Sequence, residues 1–141
     1  MNSILFASTY KWLFEPSPHT GQIKTLTSRL VYAYDTLRYA DDGVKILSVC
    51  SKGRVRYNVG ETYNVLNASN KPVGAIDIMA IERADKASEL TLEQAIQEGF
   101  SSRNEFCRLY SLMHGLDKLD QPCYRLTLAN AKTWQVKMEL V

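Results

Sequence analysis

Lys24-Thr25-Leu26-Thr27-Ser28-Arg29 gathers a lysine, two threonines, a serine and an arginine into six consecutive residues, with Leu26 the plainly apolar one. Two chemistries are open to such a set. Ionised donors beside hydroxyls bind anionic or strongly polar ligands, because charge-assisted hydrogen bonds are the shorter and stronger kind. A hydroxyl of the set can also attack an electrophile, provided another group accepts its proton. Read as a strand, the stretch puts Lys24, Leu26 and Ser28 on one face and Thr25, Thr27 and Arg29 on the other. A polar edge strand tolerates the same mixture, so the stretch alone does not separate these readings.

The chain around it is that of an ordinary globular domain. It has 141 residues, 45% hydrophobic and 23% charged, enough to bury its own core. A net charge of +2 is too small to argue for nucleic acid by itself, though it leaves room for a local basic patch. Cys50, Cys107 and Cys123 are odd in number and widely spaced, and His19 and His114 have no carboxylate at ligand spacing. Neither a disulfide framework nor a metal site is indicated, and no cofactor is expected. The first thirteen residues lack a basic segment followed by a long apolar run, so no signal peptide or membrane span is expected and a cytoplasmic protein is. Oligomeric state is open, with a monomer admitted.

The elements that must position the polar stretch follow from pattern. Ile4 to Ala7 suits a short buried strand, and Thr9 to Phe14 a turn or two of helix that Pro16 and Pro18 end. Leu30 to Tyr39 reads as a strand through Val31-Tyr32-Ala33-Tyr34 or as a short helix. Val44 to Cys50 and Arg54 to Tyr57 are strand-like around a hairpin at Ser51-Lys52-Gly53. Thr62 to Leu66 and Val73 to Ile81 follow as strands, and this regular spacing predicts a small barrel or strongly curled sheet. Then the period changes. Thr91-Leu92-Glu93-Gln94 is a capping box opening a helix with Leu92, Ala95 and Ile96 on one face and Gly99 at its end. A second box, Ser102 to Glu105, opens a helix with the stripe Phe106, Leu109, Tyr110 and Met113. Cys123 to Ala129 alternates as a strand. The fold class is α+β, a barrel with two or three short helices flanking one end, in one domain over 1–131 with a C-terminal tail over 132–141.

Three segments in this order resemble the ASCH domain of the PUA-like superfamily of small β-barrels. They are Lys24-Thr25-Leu26-Thr27-Ser28-Arg29, Val59-Gly60-Glu61-Thr62 before a strand, and Glu98-Gly99-Phe100-Ser101-Ser102 with Glu105-Phe106 in the next helix. The likeness runs from about Ile4 to Ala129. Gly21 stands one residue early, because Gln22-Ile23 replaces the usual single spacer, Leu30 to Lys52 is longer than in compact members, and Glu61 replaces the usual aspartate. Within that family the Lys-Thr-x-Thr-x-Arg strand is similar to that of bacterial acetylcytidine amidohydrolases. The resemblance implies a cleft in which Lys24, Thr27 and Glu98 are the catalytic set, with the Thr27 hydroxyl attacking an amide carbonyl, and in which Arg29, Thr25 and Gly21 bind ligand.

Elementary chemistry is compatible with that implication. Lys24 serves as a base only if burial or a nearby cation lowers its proton affinity, and Arg29 stays charged and suits a phosphate, carboxylate or oxyanion. Glu98 falls off the Leu92–Ile96 face and is expected to point into a cleft. Three functions stay open. The first is a module binding a nucleoside, nucleotide or RNA, with Tyr10, Trp12 or Tyr57 as stacking faces. The second is a hydrolase acting on an acetylated cytidine-like nucleoside or on RNA. The third is an accessory protein docking a partner through residues 30–52.

Overall fold

The computed structural model describes residues 2–134. Its centre is one mixed eight-stranded sheet, curled so that its edges approach each other. The longest strand, β7 (Pro72–Ala84), pairs along one side with β8 (Cys123–Thr133) and along the other with β6 (Thr62–Leu66). Beyond β6 lies β1 (Ser3–Leu5), in parallel, and beyond β8 lies β2 (Leu26–Leu30). Register shifts in β7 at Ala75/Asp77 and Ile78/Ala80 supply the bends that a curl needs. The far end of β7 meets β4 (Ile46–Ser51), which carries β3 (Asp35–Tyr39) and β5 (Arg54–Asn58) on its two sides. Arg29 on β2 reaches across to β1 and donates from Nη1 to the Leu5 carbonyl at 2.6 Å. The two edges thus meet through a side chain rather than a ladder.

The predicted class holds: α+β, a curled barrel-like sheet with helices against it. The hairpin at Ser51-Lys52-Gly53 forms with Lys52 and Gly53 both at positive φ, 51° and 76°, as a two-residue turn between twisted strands requires. Inside the curl lie Ile4, Phe6, Val49, Tyr63, Ile76 and Leu126. A second apolar cluster of Ala95, Phe100, Phe106, Tyr110 and Cys123 packs the helices onto the sheet.

Some expectations are corrected. Val31 to Tyr34 is neither strand nor helix but a turn, closed by the Asp35 amide on the Tyr32 carbonyl and by the Tyr32 amide on Asp35 Oδ2. Helix α1 (Leu92–Glu98) has its full capping box, yet Leu92 is 53% exposed and the buried face is Ala95–Glu98. Glu98 finds polar partners inside, in Lys24 and Ser28, and of the expected apolar face Ala95 is buried while Leu92 is not. On α2 (Arg103–His114) only half of the second box forms, because Glu105 reaches Ser101 instead of the Ser102 amide. A 3-10 turn over Leu116–Asp120 was not anticipated. Strand β8 takes in Lys132 and Thr133, so the strand runs past residue 131, and the remainder of the 132–141 tail beyond Trp134 lies outside the described residues.

Candidate functional site

Lys24 is held before its side chain is considered. Its amide donates to the Trp12 carbonyl at 2.8 Å, on the 3-10 turn Ser8–Leu13. The next amide, of Thr25, donates to the Gln97 carbonyl at 2.9 Å, and the Leu128 amide donates to the Thr25 carbonyl at 2.8 Å. The start of β2 is therefore tied to three elements at once. Glu98, the last residue of α1, is set just as firmly. Gly99 takes φ +104° and its amide closes back on Ala95 and Ile96, a left-handed helix end that a side chain would strain. A Cβ there would also lie 2.4 Å from the Trp12 ring.

These placements bring four buried polar side chains into one chain of hydrogen bonds. Lys24 Nζ donates to Glu98 Oε1 at 2.9 Å and to the Glu98 carbonyl at 2.9 Å. The Ser28 hydroxyl donates to Glu98 Oε2 and accepts from Arg125 Nη1 at 2.8 Å. Arg125 Nη2 donates to the Ala87 carbonyl at 3.1 Å. Lys24, Glu98 and Arg125 are 4%, 2% and 2% exposed. Lys24 holds the carboxylate directly and Arg125 holds it through Ser28, with Arg29 nearby, so the cluster has more cations than carboxylates. Burial lowers the proton affinity of Lys24, opposed by the Glu98 carboxylate. Lys24 Nζ and Glu98 Oε1 stand at ion-pair distance, 2.9 Å, with both side chains 3% exposed.

Above this floor lies a cavity of about 90 Å³, lined by Lys24, Ser28 and Glu98 of the cluster and by Thr27, Arg29 and the Phe106–Tyr110–His114 side of α2, with Arg125 behind Ser28 and outside the lining. Three groups in it are under-used. Tyr110 is 5% exposed, and its buried hydroxyl has no partner among the described residues. Burial pushes that phenol up, so it stays a neutral donor. Arg29 Nε is likewise buried and without a partner among them, while its guanidinium lies 4.6 Å over the Phe6 ring. The Thr27 side chain is buried, and no hydrogen bond reaches its hydroxyl among the described residues. His114, at the end of α2, lines the same space, its proton affinity lowered by burial and then by Arg29 and Lys118.

Of the residues singled out in the sequence, Lys24, Thr27, Arg29 and Glu98 converge on this cavity. Thr25 and Gly21 are exposed and outside its lining; Thr25 acts through its backbone, and Gly21 forms a turn with its amide on Ser17. Trp12 packs edge-on against Phe100 in the second cluster, and Tyr57 is buried. Ser28, Arg125, Tyr110 and His114 were missed. Ser28 and Arg125 are direct cross-strand neighbours, a relation that appears only once the β2–β8 register is known. Residues from both faces of β2 line the cavity, and among the described residues β2 pairs with β8 alone. Among the described residues no three His, Cys, Asp or Glu side chains meet as a metal would require, and no helix is long and apolar enough to cross a membrane.

No family model matches the chain, and no curated protein matches it. Solved structures do. The chain superposes on a protein of Enterococcus faecalis V583 assigned to the DUF984 family with a TM-score of 0.54 and 12% identity, over 89% of this chain and 69% of that one. That likeness establishes a shared fold. An ASCH domain of Lactobacillus crispatus JV V101 is also similar, at a TM-score of 0.42 and 19% identity over 78% of this chain and 64% of that one. The family named from the sequence is thus among the structures this fold resembles, at a score too low to carry an argument.

Proposed function

We propose that the chain is an ASCH-type domain that binds a nucleoside, a nucleotide or RNA in the cleft over Lys24, Thr27, Arg29 and Glu98. One observation carries this reading: a buried cluster with more cations than carboxylates floors a cavity whose wall holds polar groups without partners among the described residues. Buried polar groups are normally paired, so groups left over in a cavity wall are complementary to something that enters it. Donors of this kind suit carbonyl oxygens and phosphate rather than a cation.

The alternative of hydrolysis rests on the Thr27 hydroxyl, free to act, beside the Lys24–Glu98 pair. The geometry favours binding. Lys24 Nζ gives two of its three hydrogens to Glu98, and an ammonium held in an ion pair accepts no proton until the pair opens. Calorimetric titration with cytidine, cytidine monophosphate and a short single-stranded RNA tests the proposal, with acetylcytidine incubated in parallel and followed by chromatography. Binding weakened in Arg29→Gln, with no change in acetylcytidine, supports it. Absence of heat with every ligand overturns it, and release of acetate replaces it with the hydrolase.

A further inference from the structure

The cavity is too small for a whole nucleoside. At about 90 Å³ it is smaller than the roughly 150 Å³ cavity that takes benzene, so it admits the edge of a base or one substituent. Whatever follows that group must lie outside, and the space outside is specific. A groove of about 460 Å³ shares Leu5, Ala7, Arg29, Met113 and His114 with the cavity and continues it toward β5. Among the described residues no carboxylate lines this groove, while two guanidinium groups do, Arg29 at the junction and Arg56 on the far wall.

The far wall is built rather than loose. Asp35, its side chain 2% exposed, accepts from Arg56 Nη1 at 2.6 Å, from the Tyr32 amide at 2.8 Å and from the Tyr124 hydroxyl at 2.9 Å, all on Oδ2. One buried carboxylate thereby fixes both Arg56 and the turn that carries Tyr32. The Arg56 guanidinium lies 3.7 Å from the centre of the Tyr32 ring, and Tyr32 is 51% exposed as a residue. A tyrosine ring supported by a cation behind it and open to solvent is a stacking platform, and cations around it track a backbone of phosphates.

We infer that this groove is a second subsite, taking the phosphodiester and the neighbouring base of a single-stranded nucleic acid whose terminal or splayed base enters the cavity. Arg29 spans the two spaces and takes the phosphate between the two nucleotides, and the Tyr32 ring, backed by the Asp35-held Arg56, stacks the second base. The inference rests on the proposed cleft reading and extends it from a free nucleoside to a strand.

The test compares cytidine monophosphate with hexanucleotides of one sequence, as RNA and as DNA, on the full chain and on Tyr32→Ala, Tyr32→Phe and Val55→Glu. Val55 is 40% exposed in the groove, so its replacement adds a carboxylate without opening the core. The expected result is a hexanucleotide bound at least about tenfold more tightly than the monophosphate, weakened about tenfold in Tyr32→Ala and restored in Tyr32→Phe, in line with the usual worth of one stacked base. Val55→Glu should weaken the hexanucleotide more than the monophosphate, and Tyr32→Ala should leave the monophosphate within twofold. Preference for the RNA or the DNA names the source of the strand, and either supports the subsite. A monophosphate that binds as tightly as the hexanucleotides, or hexanucleotide affinity untouched by both variants, overturns the subsite and leaves the cleft reading standing. Failure of all three ligands to bind overturns both.

Discussion

Lys24 Nζ holds Glu98 twice, once by the carboxylate and once by the main-chain carbonyl, each at 2.9 Å. The second bond gives the first its precision, because it satisfies a carbonyl left over at the end of α1 while fixing where the side chain starts. Charge and helix end are therefore one device, and removing the lysine disturbs both.

Lys24→Ala is expected to cost about 3–5 kcal/mol of stability, since it strands a buried carboxylate. Part of that loss should return in the double variant Lys24→Met with Glu98→Gln, which removes both charges. Urea denaturation monitored by tryptophan fluorescence checks this. A single variant as stable as the wild type would deny that Lys24 holds the Glu98 carboxylate in the fold. Any activity assay on Lys24→Ala needs this control, because lost function and lost fold are otherwise the same observation.

Ser28 is the link between two charges. Its hydroxyl accepts from Arg125 and donates to Glu98, so Ser28→Ala leaves a buried donor and a buried acceptor with one bond fewer each. A loss of about 1–3 kcal/mol is expected. A double-mutant cycle of Ser28→Ala with Arg125→Met should show coupling above about 0.5 kcal/mol, and additivity would deny that the two act together.

His114 offers a pH readout at the mouth of the cleft. Its proton affinity in the folded chain is lowered, first by burial and then by Arg29 and Lys118. The unfolded chain therefore takes up the proton first, so the stability that goes with neutral His114 is full above its ordinary value of 6.5 and is lost as pH falls through the folded value. Proton NMR titration should give a midpoint below 6.5, and His114→Gln should flatten the acid side of the stability profile. A bound phosphate beside Arg29 should move the midpoint upward. An unchanged midpoint on adding a bound nucleotide would keep the phosphate away from this residue.

How much of this was legible beforehand depends on the range over which each feature is decided. The capping box at Thr91 and Gln94, the glycine end at Gly99 and the hairpin at Lys52-Gly53 are settled within a few residues, and all three formed as read. Leu92 misled because amphipathic spacing assumes that apolar residues define the inner face, whereas here Glu98 is drawn inward by Lys24 and Ser28. The convergence of Lys24, Thr27, Arg29 and Glu98 was available through the resemblance to a family. Arg125 was not, since only the register of β8 on β2 sets it beside Ser28, ninety-seven positions earlier in the chain. Asp35 was hidden for the same reason, its partners being Arg56 and Tyr124 from two other strands.

Thr27 separates holding a ligand from reacting with it. Its side chain is buried in the cavity wall, yet among the described residues no hydrogen bond reaches the hydroxyl, so the fold makes little use of that oxygen. Thr27→Val keeps the shape and the β-branch and removes the oxygen, and a change of less than about 1.5 kcal/mol in stability is expected. If the site only binds, affinity for a nucleotide or strand should fall by no more than the loss of one hydrogen bond, about tenfold at most. If the hydroxyl is a nucleophile, turnover of an acetylated nucleoside should vanish while affinity for it persists. Because this variant should spare the fold, the two results are distinguishable at one position, which Lys24 and Glu98, bound into the floor of the site, do not permit.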